Sequence, residues 1–370
     1  MTAQFAETAS HRSLVLLSRL LLNHDGARPV SLVRDDAEPL QADLTCEQFA
    51  GLVEFAGSNH VIVRGLEAYR DLVRQVGDDT RAGWAADALA AEHARIETAV
   101  QFLYEICTAF REHNYQVAVI KSLDHWPDLG SDLDLYTNAS PKAVCDLMLR
   151  CFNAQVASRS WGDRLAYKWN FILPGLPEAV EIHIGRLGQT GEQVAIADSL
   201  LERARTVMIG DREFRVTSFQ DRLMISTLQR MYRHFYFRLC DVVDTAGLLD
   251  SGAVDFGMLR ASAQIAGIWE GVATYLAIVS DYVERYRGFG LALPSFVLAA
   301  ARFRGDLVYL NRGFLRVPIV PQAARLYGTQ LAGALARREL LSGARLSLLP
   351  WLATAALVGQ KLTGSDKGIW

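Results

Sequence analysis

Near residue 115 the spacing of apolar residues changes from three-and-four to two, and few architectures accommodate that change. Upstream, SLVLLSRLLLN (13–23), TCEQFAGLVEFAGSNHV (45–61) and the run 79–110 carry helical spacing, with Trp84, Leu89, Ile96, Val100, Leu103 and Ile106 forming one stripe. Downstream, YQVAVI (115–120) is short and β-branched, and DLDLYT (132–137) alternates strictly, as half-buried strands do. Segments 165–173 and 179–184 read as further strands joined by the PGLP turn, and 141–151 reads as a helix. From Ser218, paired with Asp221 in a capping pattern, the helical period returns, with Leu223, Leu228, Met231, Phe235, Leu239 and Val242 on one face. Segments 258–287 and 323–341 continue it. The expected class is α+β, a small mixed sheet flanked by N- and C-terminal helical segments, divided as 1–110, 111–215 and 216–370.

Composition narrows the function classes. The 370 residues are 51% hydrophobic, enough for a sizeable core, and the net charge of −3 gives no global basic field to draw in nucleic acid. A small molecule or a protein is therefore the expected partner. Five cysteines without C-x-x-C spacing argue against a disulfide framework and a zinc knuckle. The start of the chain lacks the basic region of a signal peptide, so a cytoplasmic location is expected. Residues 346–359 are nearly all apolar but too short to span a bilayer, and they contain Pro350. A buried terminal helix is expected there. Peripheral membrane contact is the alternative, with Arg337, Arg338 and Arg345 just upstream.

The chemistry concentrates in Gly130-Ser131-Asp132-Leu133-Asp134-Leu135-Tyr136. On a strand, Asp132 and Asp134 project to one face while Leu133 and Leu135 enter the core. Two adjacent carboxylates repel unless a cation lies between them, and Mg²⁺ (or Mn²⁺) takes such oxygen ligands while leaving positions for phosphate. Glu181 and His183 share a face of AVEIHI in the same manner. If that strand neighbours the aspartates, Glu181 is a third acid, as a metal ligand or as the base for an acceptor hydroxyl.

These pieces resemble the nucleotidyltransferase superfamily, the fold shared with DNA polymerase beta. More narrowly they are similar to a group of bacterial nucleotidyltransferase-like proteins. The matching segments are VAVIKS (117–122), SDLDLYT (131–137), VEIHI (180–184) and MYRHFYFRLCD (231–241), within roughly residues 100–250. The resemblance implies transfer of a nucleoside monophosphate from an NTP, expected to be ATP, to a hydroxyl acceptor with release of pyrophosphate. It assigns Asp132, Asp134 and Glu181 to catalysis and metal. Two positions depart from the family pattern. Ser122 stands where a phosphate-facing glycine is usual, and Ile184 where tryptophan is frequent.

Lys121, Ser122, Gly130, Ser131, Arg164, Lys168 and His183 are the candidate nucleotide-binding residues near the sheet, with Arg186 a further cation. Arg164 is placed at the mouth of a strand it shares with Lys168. His234 and Arg238, with Arg230 and Asp241, follow helical spacing as one polar stripe that either lines the cleft or is an exposed face with an Arg238–Asp241 pair. Asp124, His125 and Asp128 read as solvated loop residues, with contact to a metal or the acceptor the alternative for Asp124, and Trp161, Tyr167 and Trp169 as core, with a stacking surface for a base the alternative. No Walker-type or dinucleotide-binding glycine pattern occurs. The competing functions are a catalytically degenerate nucleotide-binding or scaffold protein on the same fold, and a toxin-like transferase acting on tRNA.

Overall fold

The computed structural model describes residues 2–22, 42–349 and 351, and the side chains of 9–22, 42–349 and 351. Helices α1 (Thr2–Leu22), α2 (Cys46–Ser58), α3 (Ile62–Gln75) and α4 (Asp79–Glu112) come first. Thr45 and Gln48 form a reciprocal cap on α2, and Asp78 caps α4. Leu89, Ile96, Val100, Leu103 and Ile106 of the α4 stripe are buried, whereas Trp84 is half-buried.

The chain then runs through β1 (Val117–Val119), β2 (Asp132–Thr137), α5 (Pro141–Phe152), β3 (Gln155–Val156), α6 (Trp161–Leu165), β4 (Lys168–Ile172), β5 (Ala179–Ile184), α7 (Val194–Arg203), β6 (Arg205–Ile209) and β7 (Arg212–Val216). These strands form one seven-stranded mixed sheet in the order β3-β4-β5-β2-β1-β7-β6. Pairs β2–β5 and β1–β7 are parallel; the others are antiparallel. Helix α4 packs on β1 and β7. The β6–β7 hairpin turns through Gly210 and Asp211, with Gly210 at φ +61°, a two-residue connection that favours glycine.

Beyond the sheet follow α8 (Phe219–Gln229), β8 (Tyr236–Phe237), α9 (Leu239–Asp250), α10 (Phe256–Ile265), α11 (Trp269–Arg287), α12 (Ser295–Ala300), β9 (Tyr309–Asn311), β10 (Phe314–Arg316), α13 (Ala324–Ala336) and α14 (Leu340–Ser347). The fold is thus mixed α+β with many helices. Ser218 caps α8 as expected. The two helical flanks meet: Ser18 hydrogen-bonds Tyr282 at 2.8 Å, Arg287 donates to the Leu22 carbonyl at 2.9 Å, and one apolar cluster runs from Leu14 to Leu326.

Two expectations need correction. The helix from Ser218 does not continue through Val242. It ends at Gln229, passes through a wide turn (Arg230–His234) and reaches Phe235 at φ +56°. Tyr236 and Phe237 then pair with β10, in a second, three-stranded sheet ordered β8-β10-β9. The segment 258–287 is helical as expected, in two helices, α10 and α11. The strand expected from residue 165 begins at Lys168, because Ser160 and Asp163 cap a short helix before it. Of 346–359, only 346–349 and 351 lie within the described residues. No helix among these is long and apolar enough to cross a membrane.

Candidate active site

The parallel pairing of β2 with β5 sets Asp132 opposite Ala179, Asp134 opposite Glu181 and Tyr136 opposite His183. On the other side of β5, Lys168 lies opposite His183 and Asn170 opposite Glu181. Alternation then places Asp132, Asp134, Glu181, His183 and Lys168 on one face of the sheet. Leu133, Leu135, Val180 and Ile182 fill the core on the other face, each fully buried.

The polar face is tightly bonded. Lys121 donates to Asp134 Oδ1 and lies 3.4 Å from Glu181 Oε1. Lys168 donates to Glu181 Oε2 at 2.5 Å, and its Nζ is 3.5 Å from Asp163. His183 Nε2 is 2.8 Å from Glu181 Oε1 and 3.7 Å from Asp134 Oδ1. Burial alone would raise the Glu181 carboxyl, but Lys168, Lys121 and His183 hold it well below the usual range. Burial alone would lower Lys121, and Asp134 with Glu181 raise it instead. Lys168 is lowered, by burial first and by the neighbouring Arg233 next. Asp132 is exposed at the start of β2, yet desolvation by the surrounding protein and the charges of Asp134 and Glu181 push its carboxyl up.

Asp134, Glu181 and His183 each bring a ligand atom within 4.8 Å of the others. A divalent cation fits this donor set. Burial first, and then the neighbouring Asp134 and Glu181, raise the Asp132 carboxyl, and hard oxygen donors of this kind suit Mg²⁺. Mg²⁺ there would engage Asp134 and Glu181, with Asp132 at the open side, once Lys121 moves off Asp134.

The turn after β1 is strained. Lys121 has φ +60° and ψ −56°, and the Ser122 N–H donates to the Ile120 carbonyl at 2.6 Å, which is a γ-turn of the uncommon positive-φ kind. The Ser122 hydroxyl accepts from Asp134 N–H at 2.7 Å and donates to the Asp132 carbonyl at 3.2 Å. Its side chain is thus spent on anchoring β2 rather than turned toward a ligand. Ser131 is exposed and its hydroxyl lies 3.4 Å from Asp132 Oδ2. Gly130 is buried against the His60 ring, where a Cβ would stand 3.0 Å from Cε1.

Other expected residues fall elsewhere. Arg164 is exposed on α6, stacked over Trp161 at 5.7 Å, and shares no strand with Lys168. Trp161 is 72% exposed and Tyr167 38%, not core, and Arg159 stacks 3.5 Å over Trp169. Arg186 donates to the Gly191 carbonyl. The break after α8 dissolves the expected stripe. Arg230, not Arg238, forms the buried ion pair with Asp241, at 2.7 Å, and Arg238 contributes its backbone N–H to Asp241. His234 is pushed well down by burial and by Arg233, Arg230, Arg238 and Lys121. Asp124, His125 and Asp128 are not solvated. Arg64 pairs with Asp128 at 2.5 Å, His125 bonds Asp244 at 2.5 Å, and Arg222 lies 3.6 Å from Asp124.

Two residues escaped the sequence reading. Arg233 lies close enough to Lys121 and Lys168 for its charge to oppose theirs, helping to lower Lys168, pairs with no described carboxylate, and has a buried Nε without a hydrogen-bond partner. Its place next to His234 was the available signal, hidden by the assumption of a continuous helix. Arg95 of α4 donates to Glu178 and to the Leu129 carbonyl, tying the starts of β5 and β2 together. No periodicity marks that role. A cavity of about 260 Å³ bordered by Glu192, Asp198, Gln330 and Arg337 includes none of the carboxylates on the sheet face.

No protein-family model matches the chain, and no curated protein matches it. Among solved structures, the chain is similar to the crystal structure of an antigenic nucleotidyltransferase-like protein from Paracoccidioides brasiliensis. The identity is 13%, over 55% of this chain and 97% of that one, with a TM-score of 0.35. That score lies below the level that shows a shared fold.

Proposed function

We propose that this protein is a Mg²⁺-dependent nucleotidyltransferase that moves a nucleoside monophosphate from an NTP, ATP first, to a hydroxyl acceptor. The observation that carries this reading is the direct opposition of Asp134 and Glu181 on one sheet face, with Asp132 beside them and the cations Lys121, Lys168 and Arg233 around them. Acids in that arrangement suit a divalent cation, and the cations suit a polyphosphate. In the reaction the acceptor oxygen bonds to the α-phosphorus as the bond to the β-phosphate oxygen breaks, pyrophosphate leaves, and the acceptor proton passes to a carboxylate. Mg²⁺, when bound, supplies charge neutralisation and polarisation of the phosphoryl oxygens. The chain's own groups orient the nucleotide: Lys168 and Arg233 offer donors to its phosphates, and Asp132 faces the open side where an acceptor enters.

Two observations favour a second reading. Lys121 spans Asp134 and Glu181, as a resident cation would, and Ser122 stands in the usual glycine position with its hydroxyl committed to β2. Both features suit a protein that binds a nucleotide without turning it over.

Calorimetric titration of the four common NTPs, ATP and GTP first, with Mg²⁺, Mn²⁺ or chelator, into wild type and Asp132→Asn/Asp134→Asn separates the readings. Metal-dependent binding lost in the folded variant supports the transferase. Metal-independent binding that survives it supports the degenerate site. Absence of binding for all four common NTPs removes both.

A further inference from the structure

A second cluster of ligand-type side chains shares no residue with the carboxylate face. His60 sits between α2 and α3 at φ +53°, His125 ends the turn after β1, and Cys240 is in the first turn of α9. One ligand atom from each lies within 4.8 Å of the others. All three are withdrawn from solvent: Cys240 is fully buried, His60 is 9% exposed and the His125 side chain 13%.

The surroundings hold these groups in place. Asn59 accepts the Cys240 N–H at its carbonyl (3.2 Å) and the Leu239 N–H at its side chain (3.0 Å), which sets His60 beside Cys240. Gly130 leaves room for the His60 ring, which a Cβ there would crowd at 3.0 Å. Asp244 takes His125 Nδ1 at 2.5 Å, which turns Nε2 toward Cys240 Sγ at 3.9 Å. A carboxylate behind a histidine is the usual outer support of a metal ligand. Arg64 in turn holds Asp244 at 2.6 Å.

As an ordinary core this cluster is poor. His60 Nδ1 is buried without a hydrogen-bond partner, which leaves its desolvation uncompensated, and 3.9 Å is long for a thiol–imidazole bond. As a nucleophilic Cys–His–Asp set it fails, because Cys240 has no exposed surface for a substrate to reach. The charged groups around it cancel, with Asp124, Asp128, Asp241 and Asp244 set against Arg64, Arg222, Arg230 and Arg238. Two imidazoles and a thiolate are the donor set of a tetrahedral Zn²⁺ site, with the fourth position left to water. Metal–ligand bonds of about 2.0–2.3 Å require the donors to be closer than 4.8 Å, so small side-chain rotations close the site.

We propose that His60, His125 and Cys240 bind a zinc ion that staples the β1–β2 loop to the starts of α3 and α9. The three ligands come from segments far apart in sequence, so the ion joins the N-terminal helices, the sheet and the C-terminal helices at one point. Zinc bound there stabilises the loop that carries Lys121 and Ser122 without touching the carboxylate face.

The test uses cobalt replacement in full-length protein without a histidine tag, carrying Cys46→Ser and Cys151→Ser to remove the exposed thiols. A thiolate-to-cobalt charge-transfer band with intense four-coordinate visible bands is expected, competed away by one equivalent of zinc. Cys240→Ser abolishes the charge-transfer band, and His60→Gln weakens zinc by more than ~10-fold, the least that loss of a supporting group usually costs. Asp134→Asn leaves the thiolate charge-transfer band unchanged. Cobalt bound without a thiolate band overturns the proposal, as does a band that survives Cys240→Ser. Should Cys240→Ser fail to fold, the His60→Gln spectrum decides: unaltered visible bands overturn the site.

Discussion

Asp134 and Glu181 face each other across the parallel β2–β5 pair, and Lys121 lies between their carboxylates. Adjacent strands are only about 4.8 Å apart, so two acids so placed repel strongly without a cation. Lys121→Met removes the shared cation and is expected to destabilise the fold by about 3 kcal/mol, as when one member of a buried pair is lost. Mg²⁺ is expected to restore part of that loss and to stabilise the variant more than wild type. Urea denaturation with and without Mg²⁺ measures both. Equal responses to Mg²⁺ in the two proteins would remove the carboxylates as its site.

The turn that presents Arg233 and His234 rests on a buried ion pair. Arg230 is 1% exposed and Asp241 4%, and they meet at 2.7 Å. Arg230→Met and Asp241→Asn each leave the partner charge buried, at an expected cost of about 3–5 kcal/mol. The double variant restores charge balance, so its cost is expected to fall short of the sum by at least ~1 kcal/mol. Additive losses in a denaturation cycle would show that the pair is not coupled.

What the sequence disclosed follows from how local each signal is. The limits of β2 and β5 match the alternating runs because alternation is written into six consecutive residues. The pairing of those strands is not, and so the opposition of Asp134 and Glu181 rested on a conditional. The β6–β7 hairpin and the short helix that displaces Arg164 from its expected strand went unread, although Gly210-Asp211 is a two-residue turn signal and Ser160 with Asp163 a capping pair. The break after Gln229 was not legible, because Tyr236 and Phe237 leave the helical path to pair with β10, a partner distant in sequence. His60, His125 and Cys240 meet for the same tertiary reason, which no spacing rule for metal ligands detects.

Glu192 provides a test of acid–base linkage away from both clusters. Its carboxyl is buried and takes hydrogen bonds from Thr190 N–H at 2.8 Å and Thr190 Oγ1 at 3.0 Å. Burial outweighs those bonds and raises it above the ordinary value of 4.5. A carboxyl raised on folding favours the native state while protonated. Its contribution is therefore complete below 4.5 and is lost as pH rises through the folded value. Wild type is expected to lose up to about 1.4 kcal/mol per pH unit within that window, relative to Glu192→Gln. Denaturation midpoints of the two proteins, measured from pH ~4.5 upward, must converge at the acid end. Parallel profiles would place the Glu192 carboxyl in water.

Arg233 is the cleanest probe of the anion side of the proposed site. Lys121 and Lys168 are tied to Asp134 and Glu181, so replacing either disturbs the carboxylates as well as any phosphate. Arg233 has no such partner among the described residues, and its Nε is buried unpaired beside the two lysines. A cation crowded by other cations gains most from a polyanion. Inorganic triphosphate at a hundred times its Kd is expected to stabilise wild type by about 2.7 kcal/mol, by simple linkage. Arg233→Met removes a charge-assisted contact worth about 1.5–3 kcal/mol and should weaken triphosphate roughly 10- to 100-fold. Without ligand, the variant should be at least as stable as wild type, because a like-charge repulsion is gone. Thermal shift and calorimetry with inorganic triphosphate read both effects. Undiminished binding in Arg233→Met would mean that the phosphates do not approach this turn.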